Sequence, residues 1–207
     1  MLKEEAKFIG NEIKIILKEK KIKSVLDIGS STLEFRTITQ PFIQQEIFDL
    51  LERNRINVIH LDQKKAKGVD LVCDIDKLNN LEEKYDLVLC FNLLEHVKNP
   101  KETIKNIERL VEKKGTLIIT VPYCYPYHPD PIDNLFRPRP QELASLFTHC
   151  QLINSQVQKG SWKRKNRLLV FSFSRLAIDF KWNFFFNNLM TFLKGPQVTI
   201  INLNKKD

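Results

Sequence analysis

Short apolar runs that end on an acidic or polar residue recur through the first half of this chain. They restrict its fold more than any other feature. Ser24-Val25-Leu26-Asp27-Ile28-Gly29 is the first, followed by Val58–Asp62, Val69–Asp74 and Asp86–Phe91, and Thr116 to Val121 is a fifth. Runs with no polar face read as strands covered on both sides. Between them the spacing is helical. Leu2, Ala6, Ile9, Ile13 and Ile16 form one apolar stripe, and the lysines after it suit the negative end of a helix dipole. A helix is expected over 42–52, behind the breaker Pro41. Pro100 opens another, with Ile104, Ile107, Leu110 and Val111 on one face and Gly115 at its end. Later come a short helix near 141–147 and strands near 152–157 and 167–173. Alternating strands and helices predict an α/β fold built on a mostly parallel sheet.

No repeat, linker or low-complexity stretch divides the 207 residues, so the chain reads as one domain. Its parts are an N-terminal helix over 1–23, a core over 24–174 and an aromatic-rich extension over 175–207. A hydrophobic fraction of 43% supplies a full core and excludes disorder as a class. The N-terminus is charged from its third residue and has no apolar signal region, and no apolar run reaches bilayer-spanning length. Cys73, Cys90, Cys124 and Cys150 are far apart, with no Cys/His pair at zinc spacing, so no metal is expected and a reducing cytoplasm is. The net charge of +8 is clustered at the end of the first helix, at Lys64–Lys67 and over 159–167. It therefore concerns what docks outside the site.

Ligands of open α/β sheets bind at the carboxyl ends of the strands. Here that edge carries Asp27 and Gly29, then Asp62, then Asp74, then Phe91 and Asn92. The turn Gly29-Ser30-Ser31-Thr32-Leu33-Glu34 is neither G-x-G-x-x-G nor a P-loop, and Asp27 would repel a phosphate. An acidic edge fits a ligand with a cationic end and no phosphate, as S-adenosylmethionine is, with its ammonium and sulfonium.

Three segments resemble a known family. Val25-Leu26-Asp27-Ile28-Gly29 is similar to the first motif of class I S-adenosylmethionine-dependent methyltransferases. Tyr85 to Val97, ending Leu94-Glu95-His96-Val97, resembles their fourth-strand motif in the subgroup with L-E-H-V. Lys114 to Pro122 resembles their fifth-strand segment, so the likeness spans 22–174. It implies a three-layer Rossmann-like fold with a seven-stranded, mostly parallel sheet whose last strand is antiparallel. It also implies S-adenosylmethionine as methyl donor. Asp27 and Gly29 would lie against its methionine part, with Ser31 where the family has a further glycine. Asp62 would take the ribose hydroxyls, Asp74 and Ile75 would border the adenine, and Phe91 and Asn92 would face the methionyl group. Glu95 and His96 read as the structural start of a helix. The chain departs from the pattern at Ser31 and Leu33, where the family has glycines, and the stretch from Gly29 to Asp62 is longer than usual. A non-catalytic binding protein on the same fold is therefore the different-class alternative.

The stretch from Pro122 to Pro140 holds six prolines and the cluster Tyr123, Tyr125, Tyr127 and His128. A loop of this length is usually functional. Tyr123, Tyr125, Tyr127 and Arg137 are the candidate substrate contacts. His128 is the candidate general base, with Asp130 or Asp133 to orient it. The acceptor is expected to be a small molecule, with a sugar or glycan hydroxyl of surface-polysaccharide synthesis as the specific reading. The Asn92-Leu93-Leu94-Glu95 segment lacks the motif of adenine-DNA methyltransferases. RNA methylation stays open, because Lys159, Lys163, Arg164, Lys165 and Arg167 surround Trp162. The apolar residues from Trp182 to Leu193 exceed one helical stripe and suit core packing, a homodimer contact or a peripheral membrane contact.

Overall fold

The computed structural model describes residues 1–130, 132–161 and 182–207. The strand expected over 167–173, most of the basic stretch around Trp162, and Pro131 lie outside the described residues. Seven strands form one sheet: β1 (Ser24–Ile28), β2 (Asn57–Asp62), β3 (Leu71–Val72), β4 (Tyr85–Phe91), β5 (Val111–Cys124), β6 (Cys150–Lys159) and β7 (Gln197–Lys205). Their order is β3-β2-β1-β4-β5-β7-β6. The first five pair in parallel, whereas β7 is antiparallel to both its neighbours. This is the Rossmann-like architecture that the resemblance implied.

Helices cover both faces. On one side lie α1 (Lys3–Glu19), α2 (Pro41–Ile43) and α3 (Asp49–Arg53), packed through Ile9, Ile13, Ile43 and Leu51 against Val25, Leu87 and Leu89. On the other lie α4 (Pro100–Arg109) and α5 (Pro140–Ser145), where Ile104, Ile107 and Leu143 meet Leu26, Ile28, Val88 and Cys90. Neighbours along one strand thus enter opposite cores, which is why these runs carry no polar alternation. All five apolar stripe residues of α1 are buried. A last helix, α6 (Trp182–Lys194), leads into β7.

Several boundaries differ from expectation for identifiable reasons. The helix over 42–52 is part of a longer helical stretch, with π turns at Phe35–Thr39 and Gln44–Phe48 flanking α2. That extra length is the long gap between Gly29 and Asp62. β3 is only Leu71–Val72: Asp70 turns to accept from the His60 N–H (2.9 Å), and Asp74 caps the 3-10 turn Ile75–Asn80. Gly115 does not end α4. The helix stops at Arg109, and Val111 already pairs with Tyr85. Pairing then jumps to Leu87 with Thr116, so residues 112–115 bulge out, with Lys114 at φ 61°. The exposed polar side chains of Glu112 to Lys114 tolerate that bulge. Finally, β7 comes from Gln197–Lys205, inside the stretch read as an extension, and it slots between β5 and β6.

Candidate active site

A cleft of about 610 Å³ opens at the carboxyl ends of β1, β2, β4 and β5, the edge where such sheets bind ligands. Its lining includes Asp27, Gly29, Ser31, Asp62, Ile75, Phe91 and Asn92, all expected at the cofactor, and Tyr125, His128 and Asp130 from the loop after β5. Asp74 does not line it. Its carboxylate accepts from the Asp76 N–H (3.1 Å), and Cys73 and Asp76 reach the cleft instead. Tyr123, Tyr127 and Arg137 are also outside the lining.

The turn after β1 is built without the expected glycines. Gly29 (φ 75°) and Ser30 both donate N–H bonds to the Leu61 carbonyl. Ser31 takes φ 57°, the left-handed conformation a glycine would adopt freely. Its N–H donates to Asp62 Oδ2 (2.8 Å), and Lys64 N–H donates to Asp62 Oδ1 (2.9 Å). Leu33 fits because the missing glycine is supplied from elsewhere. Gly68 (φ 81°) lies against it, and a Cβ on Gly68 would stand 2.6 Å from Leu33 Cβ. We expect Gly68→Ala to destabilise the fold by about 2–4 kcal/mol, combining left-handed strain with overpacking. Thermal unfolding measures this, and a melting temperature equal to that of the parent chain would contradict the account.

Arg36 holds the same turn from beneath. Its side chain is buried, with Nη1 donating to the carbonyls of Ser30 (3.0 Å) and Ser31 (2.9 Å) and Nη2 to that of Gly68 (2.8 Å). The guanidinium lies 5.6 Å from the centre of the Phe48 ring. Burial pulls its pKa down, and the charges of Asp27, Asp70 and Asp62 offset this only in part. Sequence reasoning missed Arg36, for nothing local distinguishes it from a surface arginine. Asp27 is 3% exposed and meets His60 Nδ1 at 2.8 Å. Asn92 (φ 49°) gives its amide to Glu5 Oε1 (2.7 Å), which also accepts from Thr120 Oγ1 (2.7 Å). Glu5 Oε2 accepts from the Leu2 N–H (2.8 Å). The first turn of α1 is thus tied to the ends of β4 and β5.

The loop after β5 brings His128 into the lining of the same cleft. Asp133, not Asp130, is its partner: the carboxylate accepts from the His128 N–H (3.0 Å) and stands 3.3 Å from Nδ1. Asp133 also binds Arg137 Nη2 at 2.7 Å, so Arg137 is a brace for this loop. Burial works to raise the Asp133 pKa, but hydrogen bonds from His128 and Arg137 hold it well below the usual range. Burial pulls His128 down, and the bonds to Asp133 and the Pro126 carbonyl outweigh it, leaving its pKa raised. Asn134 Nδ2 donates to the carbonyls of Leu94 (2.9 Å) and Val97 (2.7 Å), clamping the turn Leu94–His96. That turn puts Glu95 and His96 in the cleft lining, where sequence reasoning had them as structural. Glu95 is fully buried, and burial pushes its pKa to about 7.

A family model described as a methyltransferase domain matches residues 1–164. This chain belongs to that methyltransferase family. The chain is 33% identical over 116 residues to an uncharacterized protein of Methanocaldococcus jannaschii, covering 55% of this chain and 48% of that one. It is 28% identical over 98 residues to the ubiquinone biosynthesis O-methyltransferase of Rickettsia bellii, covering 46% and 40%. The matches thus span less than half the length of these curated relatives. Among solved structures, coclaurine N-methyltransferase bound to N-methylheliamine and S-adenosylhomocysteine superposes with a TM-score of 0.59 at 15% identity. That match covers 97% of this chain and 71% of the other, and it shows the shared fold.

Proposed function

We propose that this protein transfers the methyl group of S-adenosylmethionine to a hydroxyl of a small-molecule acceptor. The observation that carries the reading is the meeting of two chemistries in one cleft. Asp27, Asp62 and the Gly29–Ser31 turn share its lining with Glu95, His96 and His128. Both Asp62 oxygens already order the turn, and each keeps a lone pair for one hydroxyl of a ribose diol. Asp27 supplies negative charge for the cationic end of the cofactor. The acceptor oxygen attacks the methyl carbon in line with the departing sulfur. The C–S pair stays on sulfur, the sulfonium becomes a neutral thioether, and the hydroxyl proton must leave. Alignment of the two reactants in a water-poor site contributes about 7–11 kcal/mol at best. An oxygen acceptor needs its proton accepted or its acidity raised, and the second group of residues offers lone pairs for either purpose.

For the acceptor we favour a sugar or glycan hydroxyl, as surface-polysaccharide synthesis would present. Tyr125 lies T-shaped to His128 with ring centroids 5.0 Å apart, and an aromatic ring beside that histidine supports the reading, since it suits the apolar face of a sugar. The four cysteines are free, in keeping with action in a reducing cytoplasm. Calorimetry of the full chain with S-adenosylmethionine and S-adenosylhomocysteine tests the reading, and saturable binding of both is expected. A folded protein that gives no heat at about 1 mM ligand, a limit near −4 kcal/mol, would favour a binding protein that has lost the cofactor.

A further inference from the structure

We propose that Glu95, His96 and His128 form a binding site for a divalent transition-metal cation. Each of the three presents an electron pair that no group among the described residues uses. Neither Glu95 oxygen has a hydrogen-bond partner among the described residues, although the side chain is wholly buried. A buried carboxylate without donors is costly, and such a group calls for a ligand. His96 Nδ1 lies 2.6 Å from the Ile132 carbonyl and His128 Nδ1 2.8 Å from the Pro126 carbonyl. A carbonyl only accepts, so each Nδ1 carries the hydrogen and each Nε2 is left with a free lone pair. His96 Nε2 stands 3.7 Å from Glu95 Oε1, too far for a hydrogen bond between them.

These side chains are arranged as metal ligands are. Their ligand atoms all lie within 4.8 Å of one another. Ligands bonded at about 2.1 Å in a tetrahedral site stand about 3.4 Å apart, so side-chain rotation must close the widest gap by about 1.4 Å. The rest of the support is already in place. Histidine ligands characteristically donate their second nitrogen to a carbonyl or carboxylate, and here Ile132, Pro126 and Asp133 fill that role. The Asn134 clamp fixes the turn that carries two of the three ligands. Two imidazoles and one carboxylate favour zinc, manganese or iron over magnesium or calcium, which prefer oxygen. The cysteine spacing gave no hint of this, since none of the ligands is a thiol. With three protein ligands facing the cleft, a coordination position remains for an incoming oxygen. If the methyl-transfer reading holds, the cation supplies the acidity that a hydroxyl acceptor lacks.

The test uses the full chain, stripped with chelator and dialysed. Manganese is titrated by the loss of the free-ion paramagnetic resonance signal, and zinc by competition with a chromophoric chelator, with magnesium as the comparison. We expect one equivalent of manganese or zinc to bind. Glu95→Gln, His96→Asn and His128→Gln, each shown to be folded by circular dichroism, should each lower the affinity at least about 10-fold. Absence of binding at about 1 mM metal, preference for magnesium, or equal binding by all three variants would overturn the proposal. S-adenosylhomocysteine calorimetry on the same samples separates the two readings. Metal binding without cofactor binding keeps the cation site and removes methyl transfer, whereas cofactor binding without metal binding does the reverse.

Discussion

Asp62→Ala is expected to lower the affinity for S-adenosylhomocysteine by about 100-fold or more. Two contributions add in the same direction. The variant would lose the acceptor proposed for the ribose hydroxyls, and a hydrogen bond to a charged group is worth about 1.5–3 kcal/mol. It also frees the N–H groups of Ser31 and Lys64, which Asp62 holds at 2.8 and 2.9 Å. Ser31 stays at φ 57° only while its surroundings impose it. Without Asp62 the turn can relax, and the cofactor then has to reorder it on binding. Asp62→Asn separates the contributions, because the amide keeps one acceptor oxygen and should lose less. Isothermal calorimetry on variants with unchanged circular dichroism measures both. Equal affinity in Asp62→Ala would refute the ribose assignment.

Arg36→Met is expected to lower stability by about 3–5 kcal/mol, in the range for removing one partner from a buried charged network. Three carbonyls would lose their donor, and Asp27, Asp62 and Asp70 would lose the cation that offsets their mutual repulsion. For a domain of this size each kcal/mol shifts the melting temperature by about 2–4 °C, so a fall of about 6–20 °C should appear. Arg36→Lys should not restore it. An ammonium is a point charge on a flexible stem and cannot span carbonyls that the planar guanidinium bridges from two nitrogens. Any variant that stays folded should also bind the cofactor more weakly, since the Ser30 and Ser31 carbonyls anchor the turn. A lysine variant as stable as the parent chain would show that charge alone suffices.

Much of the fold was legible because its signals are local. The apolar stripe of α1, the apolar runs of β1, β2 and β4, and the proline that opens α4 are properties of neighbouring residues, and they lie where the spacing put them. The signals that failed involved distant partners. Gly115 resembles a helix stop, but α4 ends earlier and the glycine instead belongs to a bulge set by pairing with β4. Asp130 and Asp133, two and five residues after His128, are both candidates in the sequence, and only the course of the loop selects Asp133. Nothing in the run from Gln197 to Lys205 announces that it will part β5 from β6.

By itself, then, the sequence determined the α/β class, the acidic carboxyl edge of the sheet and the family, since each depends on periodicity or short motifs. Only the tertiary structure decided how an atypical turn is held. Gly68 makes room for Leu33, and Arg36 ties together carbonyls that are far apart in the chain. It alone also decided that Glu95, His96 and His128 meet. The physical reason is the same in both cases. Close packing and hydrogen-bond satisfaction are settled between segments brought together by folding, where sequence distance carries no information.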